Sequence, residues 1–173
     1  MSGFDAVVLV GHGGIARDTP PELVTELKRL ARERERRGET RASAREAELD
    51  RTIREWPRTE ASDPYKRGLE SIARQLTARL ARVRVVTAYN EFCAPSVDTA
   101  IDRLVTEGAS AITVVTTMFT PGGSHAETDI PQFVGVVQAR YPSVHIKYAW
   151  PYDVHCIAEF LVRHLETHTG VDE

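Results

Sequence analysis

The sequence predicts an α/β protein: a parallel sheet of about four strands with helices on both faces. Two observations lead there. Residues 4–10 are apolar almost throughout, the pattern of a parallel strand covered on both faces, 111–115 form a second apolar run that reads as a buried strand, and 83–88 and 144–149 read as two further strands. Between them lie stretches whose apolar residues recur at helical spacing, so strand and helix alternate along the chain.

Strand 4–10 leads into Gly11-His12-Gly13-Gly14. Thr19 reads as the cap of the next helix, with proline in the first turn and Glu22 three residues on to complete a capping box. Leu23, Leu27, Leu30 and Ala31 form its apolar face. Residues 32–45 are dense in charge and broken by Gly38. Glu33, Glu35 and Glu39 interleave with the arginines, and Glu46 and Glu48 continue the pattern. The stretch therefore reads as a solvated helical hairpin laced with i,i+4 pairs before it reads as a basic surface for substrate or nucleic acid.

Leu49, Ile53 and Trp56 extend an apolar stripe to Pro57, residues 58–64 are a turn-rich break, and Tyr65, Leu69, Ile72, Ala73, Leu76 and Leu80 mark another helix. After strand 83–88 comes Tyr89-Asn90-Glu91-Phe92-Cys93-Ala94-Pro95-Ser96, then a helix with Val97, Ile101, Leu104 and Val105 inside, stopped by Gly108. Strand 111–116 leads through Gly122-Gly123-Ser124-His125 to a helix for which Asp129 is the expected N-cap and Pro131 lies in the first turn. After strand 144–149, the last helix is expected to turn Ile157, Phe160, Leu161 and Leu165 to the core, with the tail from Thr167 to Glu173 frayed. Residues of about 38–63 read as a charged helical insertion in the first crossover, and residues 1–173 as a single domain.

A formal charge of −3 gives no general reason to expect nucleic acid. No apolar run approaches the roughly 20 residues of a membrane span. No basic, then apolar, then small-residue leader is evident, and Cys93 and Cys156 form neither a CxxC pair nor a disulfide framework. A reduced, cytoplasmic setting is the expectation.

His12 and His125 each follow an apolar strand and lie beside a glycine pair, with Glu91 and, as a further candidate, His155 at equivalent strand ends. Open parallel sheets bind ligands at that carboxyl edge. Imidazole is a ligand for cobalt, nickel, iron and zinc, and a carboxylate completes such a site or accepts a proton. His145, inside a strand, and His164 and His168, near a helix end, read as structural. The cysteines read as small hydrophobes first and soft ligands second. Gly11, Gly13 and Gly14 also permit a phosphate loop, but neither G-x-G-x-x-G nor a Walker lysine is present. A phosphohistidine enzyme would place Arg where Gly11 stands.

Three stretches carry a family resemblance: Val8-Leu9-Val10-Gly11-His12-Gly13, Glu91-Phe92-Cys93-Ala94-Pro95-Ser96, and Met118-Phe119-Thr120-Pro121-Gly122-Gly123-Ser124-His125 with Asp129-Ile130-Pro131. They resemble the class II tetrapyrrole chelatases, in particular the short sirohydrochlorin chelatases of the CbiX and SirB type, over roughly residues 1–20 and 65–165. The resemblance implies a chelatase-like α/β fold. It implies a lyase of sirohaem, cobalamin or related tetrapyrrole biosynthesis that inserts divalent cobalt, iron or nickel into a carboxylate-rich tetrapyrrole such as sirohydrochlorin. Neither ATP nor an organic cofactor takes part, and the metal is a substrate.

By position, His12 and His125 are the implied metal-binding and proton-accepting residues and Glu91 the implied acidic one. His155 matches a less constrained histidine. Loop groups at Gly13, Gly14, Gly122, Gly123 and Ser124, with Arg17 as a candidate cation, are the implied contacts to the tetrapyrrole. A homodimer is implied as well. The chain departs from the family pattern at Gly14, where Ser is usual, at Cys93, where an acidic stretch is usual, and in the insertion. Two other readings stay open: a non-catalytic metal or tetrapyrrole carrier, and a phosphate-handling enzyme using His12.

Overall fold

The computed structural model describes residues 3–169. Its elements run β1 (Phe4–Gly11), α1 (Pro21–Arg36), α2 (Ala44–Arg54), α3 (Pro64–Arg79), β2 (Val83–Tyr89), α4 (Val97–Thr106), β3 (Ala109–Thr116), a π-helical turn (His125–Asp129), α5 (Ile130–Arg140), β4 (His145–Tyr148) and α6 (Val154–Thr169). The strands form one parallel sheet in the order β2-β1-β3-β4. This is the expected α/β architecture.

Strand alternation divides the core. Ala6, Val8 and Val10 of β1, with Ile112 and Val114 of β3, meet Val97, Ile101 and Leu104 of α4 and Ile130, Val134 and Val137 of α5. Leu9 points the other way and joins Leu69 and Ala73 of α3 with Tyr89 and Cys93. The charge-dense segment has a small core of its own: Leu27 of α1 packs with Leu49 and Ile53 of α2, and Phe92 lies against them. Two ion pairs bind this hairpin across its helices, Arg34 to the buried Glu46 at 3.0 Å and Arg45 to Glu26 at 2.8 Å, and the expected i,i+4 pairs run along them, Arg29 to Glu33 and Arg54 to Asp50, each at 2.7 Å.

Three local expectations are corrected. Thr19 does not cap α1; Pro20 occupies the N-cap position and no side chain caps the helix. The Thr19 N–H instead closes a turn onto the Ala16 carbonyl at 3.0 Å, so the helix begins one residue too late for its hydroxyl. That hydroxyl is buried with no hydrogen-bond partner among the described residues. Asp129 does stand before α5, but its dihedrals are already helical (φ −68°, ψ −51°) and its carboxylate caps nothing. The π-helical turn starts the helical path earlier, at His125.

The third correction concerns α6. Phe160, Leu161 and Leu165 are 58%, 44% and 55% exposed, and only Ile157 is half-buried. The helix stands off the sheet instead of covering it. On the α3 side of the sheet, Thr113 and Val115 of β3 remain half-buried, and Lys147 of β4 is exposed. The chain from Thr167 to Thr169 is helical, and Gly170 to Glu173 lie outside the described residues. No described helix is long and apolar enough to cross a membrane.

Candidate metal centre

Register brings the strand-end loops together. Gly11 pairs with Tyr89, and Val10 pairs with Thr116. The ladder continues past the strands: Asn90 N–H donates to Gly11 O at 3.0 Å, Glu91 N–H to His12 O at 2.8 Å, and Thr117 N–H to Val10 O at 3.0 Å. His12 and Glu91 therefore leave the sheet side by side. Gly13 makes the approach possible. It has φ +95°, and a Cβ there would lie 1.9 Å from the Glu91 carbonyl, so no side chain fits.

His12, Glu91 and His125 converge, with one ligand atom of each lying within 4.8 Å of the others. His12 Nε2 stands 4.0 Å from Glu91 Oε2, and His125 Nε2 stands 4.0 Å from Glu91 Oε1. The two imidazoles meet edge to face with centroids 4.8 Å apart. Ligands of one first-row ion, each at about 2 Å from it, are about 3–4 Å from one another, so a small contraction seats an ion here. The three side chains are 43%, 37% and 26% exposed, which leaves one side of the group open.

The outer hydrogen bonds set both tautomers. His12 Nδ1 lies 2.8 Å from the Gly13 carbonyl, which can only accept, so Nδ1 carries the proton. His125 Nδ1 lies 2.6 Å from Asp129 Oδ2 and donates to that carboxylate. The Asn90 amide sits 2.8 Å from the same Nδ1 and donates to Asp129 Oδ2 at 3.3 Å. Both Nε2 atoms therefore present lone pairs toward Glu91. This carboxylate–histidine arrangement orients a metal ligand and fixes its tautomer. Tyr65 of α3 fixes the loop itself, its hydroxyl accepting from the His12 backbone N–H at 2.7 Å.

Other candidates fall elsewhere. His155 is 79% exposed on α6, 3.4 Å from Glu159, and is not in the group. Cys93 is buried, and that burial pushes its thiol pKa upward, away from a metal-binding thiolate. Cys156 is exposed on α6. Arg17 is exposed, with its backbone N–H on Ser62 O at 2.8 Å. Gly13 is buried with its carbonyl engaged by His12, and Gly14 is half-buried. Gly122, Gly123 and Ser124 are exposed; Gly122 takes φ +89° and donates its N–H to Glu127 at 2.8 Å.

Asn90, Asp129 and Tyr65 were not legible as site residues in the sequence. The i,i+4 spacing of His125 and Asp129 was the available signal, once the intervening turn is taken as helical.

The CbiX family model matches residues 61–167. Among curated proteins, none matches. Solved structures share the fold. SirB from Bacillus subtilis with Fe³⁺ aligns with a TM-score of 0.53 at 21% identity, covering 98% of this chain and 48% of that one. A putative cobalamin (vitamin B12) biosynthesis CbiX protein from Marinobacter aquaeolei VT8 aligns with a TM-score of 0.51 at 17% identity, covering 94% and 98%. The sirohydrochlorin chelatase SirB from Bacillus subtilis subspecies spizizenii, in complex with cobalt, gives 0.48 at 18% identity, covering 94% and 50%. The chain thus spans about half the length of the SirB proteins and nearly all of the Marinobacter protein. With a family model covering well over half of its residues, this chain belongs to the CbiX family.

Proposed function

We propose that this protein is a metal chelatase that inserts a divalent ion (cobalt, iron or nickel) into a carboxylate-rich tetrapyrrole such as sirohydrochlorin, without ATP. The convergence of His12, Glu91 and His125 at the carboxyl edge of the sheet carries this reading. Family membership and the metal-bearing SirB relative of the same fold support it. The two free cysteines suit a cytoplasmic protein.

Insertion exchanges one M²⁺ for two pyrrole protons. His12 Nε2 and His125 Nε2 hold the incoming ion, and the open side of the group lets the macrocycle approach it. Three ligands with a free coordination position bind an ion without enclosing it, so it can be passed on. Glu91, next to both imidazoles, is the nearest carboxylate to accept a proton as a pyrrole nitrogen takes its place on the metal. The second proton goes to His125 Nε2 once the ion has left it for the macrocycle, and Asp129, at Nδ1, stabilises the imidazolium that results. The exposed Gly123 and Ser124 backbone, just before the π-helical turn, is proposed to meet peripheral carboxylates as N–H groups near a helical start do, with Gly122, its N–H held by Glu127, and Gly14 lining the approach. Residues 1–173 act as one domain.

We also propose a homodimer. The exposed apolar face of α6 and the uncovered α3 side of β3 and β4 are complementary needs within one sequence, and a second copy meets both by laying its α6 on that face.

The distinguishing experiment is mass spectrometry of pigment extracted after anaerobic incubation with sirohydrochlorin and Co²⁺. A chelatase gives a species heavier by one cobalt less two hydrogens, faster than a protein-free control. A carrier returns the tetrapyrrole at unchanged mass, and that outcome overturns the proposal.

A further inference from the structure

The charge pattern of residues 38–63 assigns them no task at the metal centre, yet two of their arginines end on its loops. Arg54, at the end of α2, donates to the Asn90 carbonyl at 3.1 Å and to the Cys93 carbonyl at 3.3 Å, bracketing Glu91. Asp50 orients the guanidinium through Nε at 2.7 Å. The Asn90 side chain in turn rests on His125 and Asp129.

Arg58 is more deeply set, its side chain 6% exposed against an Asp63 carboxylate that is 2% exposed. It donates to Gly14 O at 2.8 Å and to Phe92 O, so one guanidinium joins the His12 loop to the Glu91 loop. Asp63 also caps α3 through Lys66 N–H at 2.9 Å, next to the Tyr65 that holds His12.

The Glu91 loop needs such support. It leaves β2, an edge strand with a neighbour on one side only. Phe92 has φ +54°, a left-handed conformation that is unfavourable for a residue with a side chain and persists only where the surroundings impose it. A guanidinium suits the task because its rigid fork reaches two carbonyls at once.

We propose that Arg54 and Arg58 are positioning residues. Segment 38–63 is a brace that holds the Glu91 loop against the His12 and His125 loops and keeps the three ligand atoms in range of one ion. The brace rests on the metal-site reading above.

The test is an anaerobic titration with Co²⁺ alone, read by its visible absorption, on wild type, Arg54→Met, Arg54→Lys, Arg45→Met and His125→Ala. Arg45 pairs with Glu26 and Glu48 on the hairpin surface and controls for loss of a surface arginine. The brace predicts a Kd about 10–100-fold weaker in Arg54→Met, the usual cost of losing an outer-shell partner. Arg45→Met binds as wild type, with a similar thermal midpoint to Arg54→Met. Arg54→Lys, which keeps the charge but loses the fork, falls between. Wild-type affinity in Arg54→Met, or in Arg54→Lys if the methionine protein does not fold, overturns the brace. If His125→Ala loses Co²⁺ while both Arg54 variants keep it, the brace alone fails. If His125→Ala keeps Co²⁺, the metal site fails and the brace with it.

Discussion

The α1–α2 hairpin, dense in charge, and α6, with few charges, each carry an apolar stripe, and the two stripes meet opposite fates. In the hairpin, Leu49 and Ile53 are 1% and 0% exposed. On α6, Phe160 and Val162 are 58% and 52% exposed. Periodicity states that a face demands burial; it does not state what buries it. The hairpin has its partner nearby in the chain, Leu27, and then Phe92 of the site loop. On α6 only Ile157 is half-buried by its own chain, and the rest of the stripe is exposed. The hairpin thereby becomes part of the site's support, whereas α6 is free to serve assembly.

The largest expected effect separates the two regions by association. Phe160→Glu with Leu161→Glu places charge on the α6 face and is expected to convert a dimer to monomer in sedimentation velocity at micromolar protein. An unchanged wild-type monomer would break the comparison, leaving α6 with no partner of its own kind. Next, Ile53→Ala removes a fully buried side chain and is expected to cost about 2–4 kcal/mol in urea unfolding, whatever the protein concentration. Phe160→Ala, by contrast, should lower stability in a concentration-dependent way if the proposed dimer buries this side chain. A concentration-independent loss in both would mean that α6 packs within its own chain. Smallest of all, Thr19→Val removes a buried hydroxyl that has no partner among the described residues and should shift stability by under about 1 kcal/mol, toward greater stability. A loss of more than that would reveal a bond to the Thr19 hydroxyl.

Much of the centre was legible because parallel sheets put the ends of successive strands at one edge. His12, Glu91 and His125 could be assembled from three apolar runs and the loops after them. The central strands β1 and β3 were clear because each carries an apolar run, residues 6–10 in one and 111–115, interrupted only by Thr113, in the other. What stayed hidden depends on long-range contact. Arg54 and Arg58 lie 36 and 34 residues from the carbonyls of Asn90 and Phe92, and a guanidinium-to-carbonyl bond imposes no residue type on its acceptor. Asp129 was visible but misassigned, since an aspartate before a helix is an ordinary cap and only the π-helical turn turns it toward His125. Thr19 shows the limit of local pattern: two prolines set where α1 begins, and the capping hydroxyl ends up outside it.

A single kinetic series decides whether the three converging residues carry the chemistry. Initial rates of Co²⁺ insertion into sirohydrochlorin would be followed anaerobically by absorbance for wild type, His12→Ala, Glu91→Gln, His125→Ala and His164→Ala, each corrected for the protein-free rate. Chelation at this centre predicts at least about a hundredfold loss in His125→Ala, comparable to removing a general acid–base group, with clear losses in His12→Ala and Glu91→Gln. His164→Ala, on the exposed α6, should match wild type. Equal rates across all five proteins would contradict the assignment of the centre to His12, Glu91 and His125.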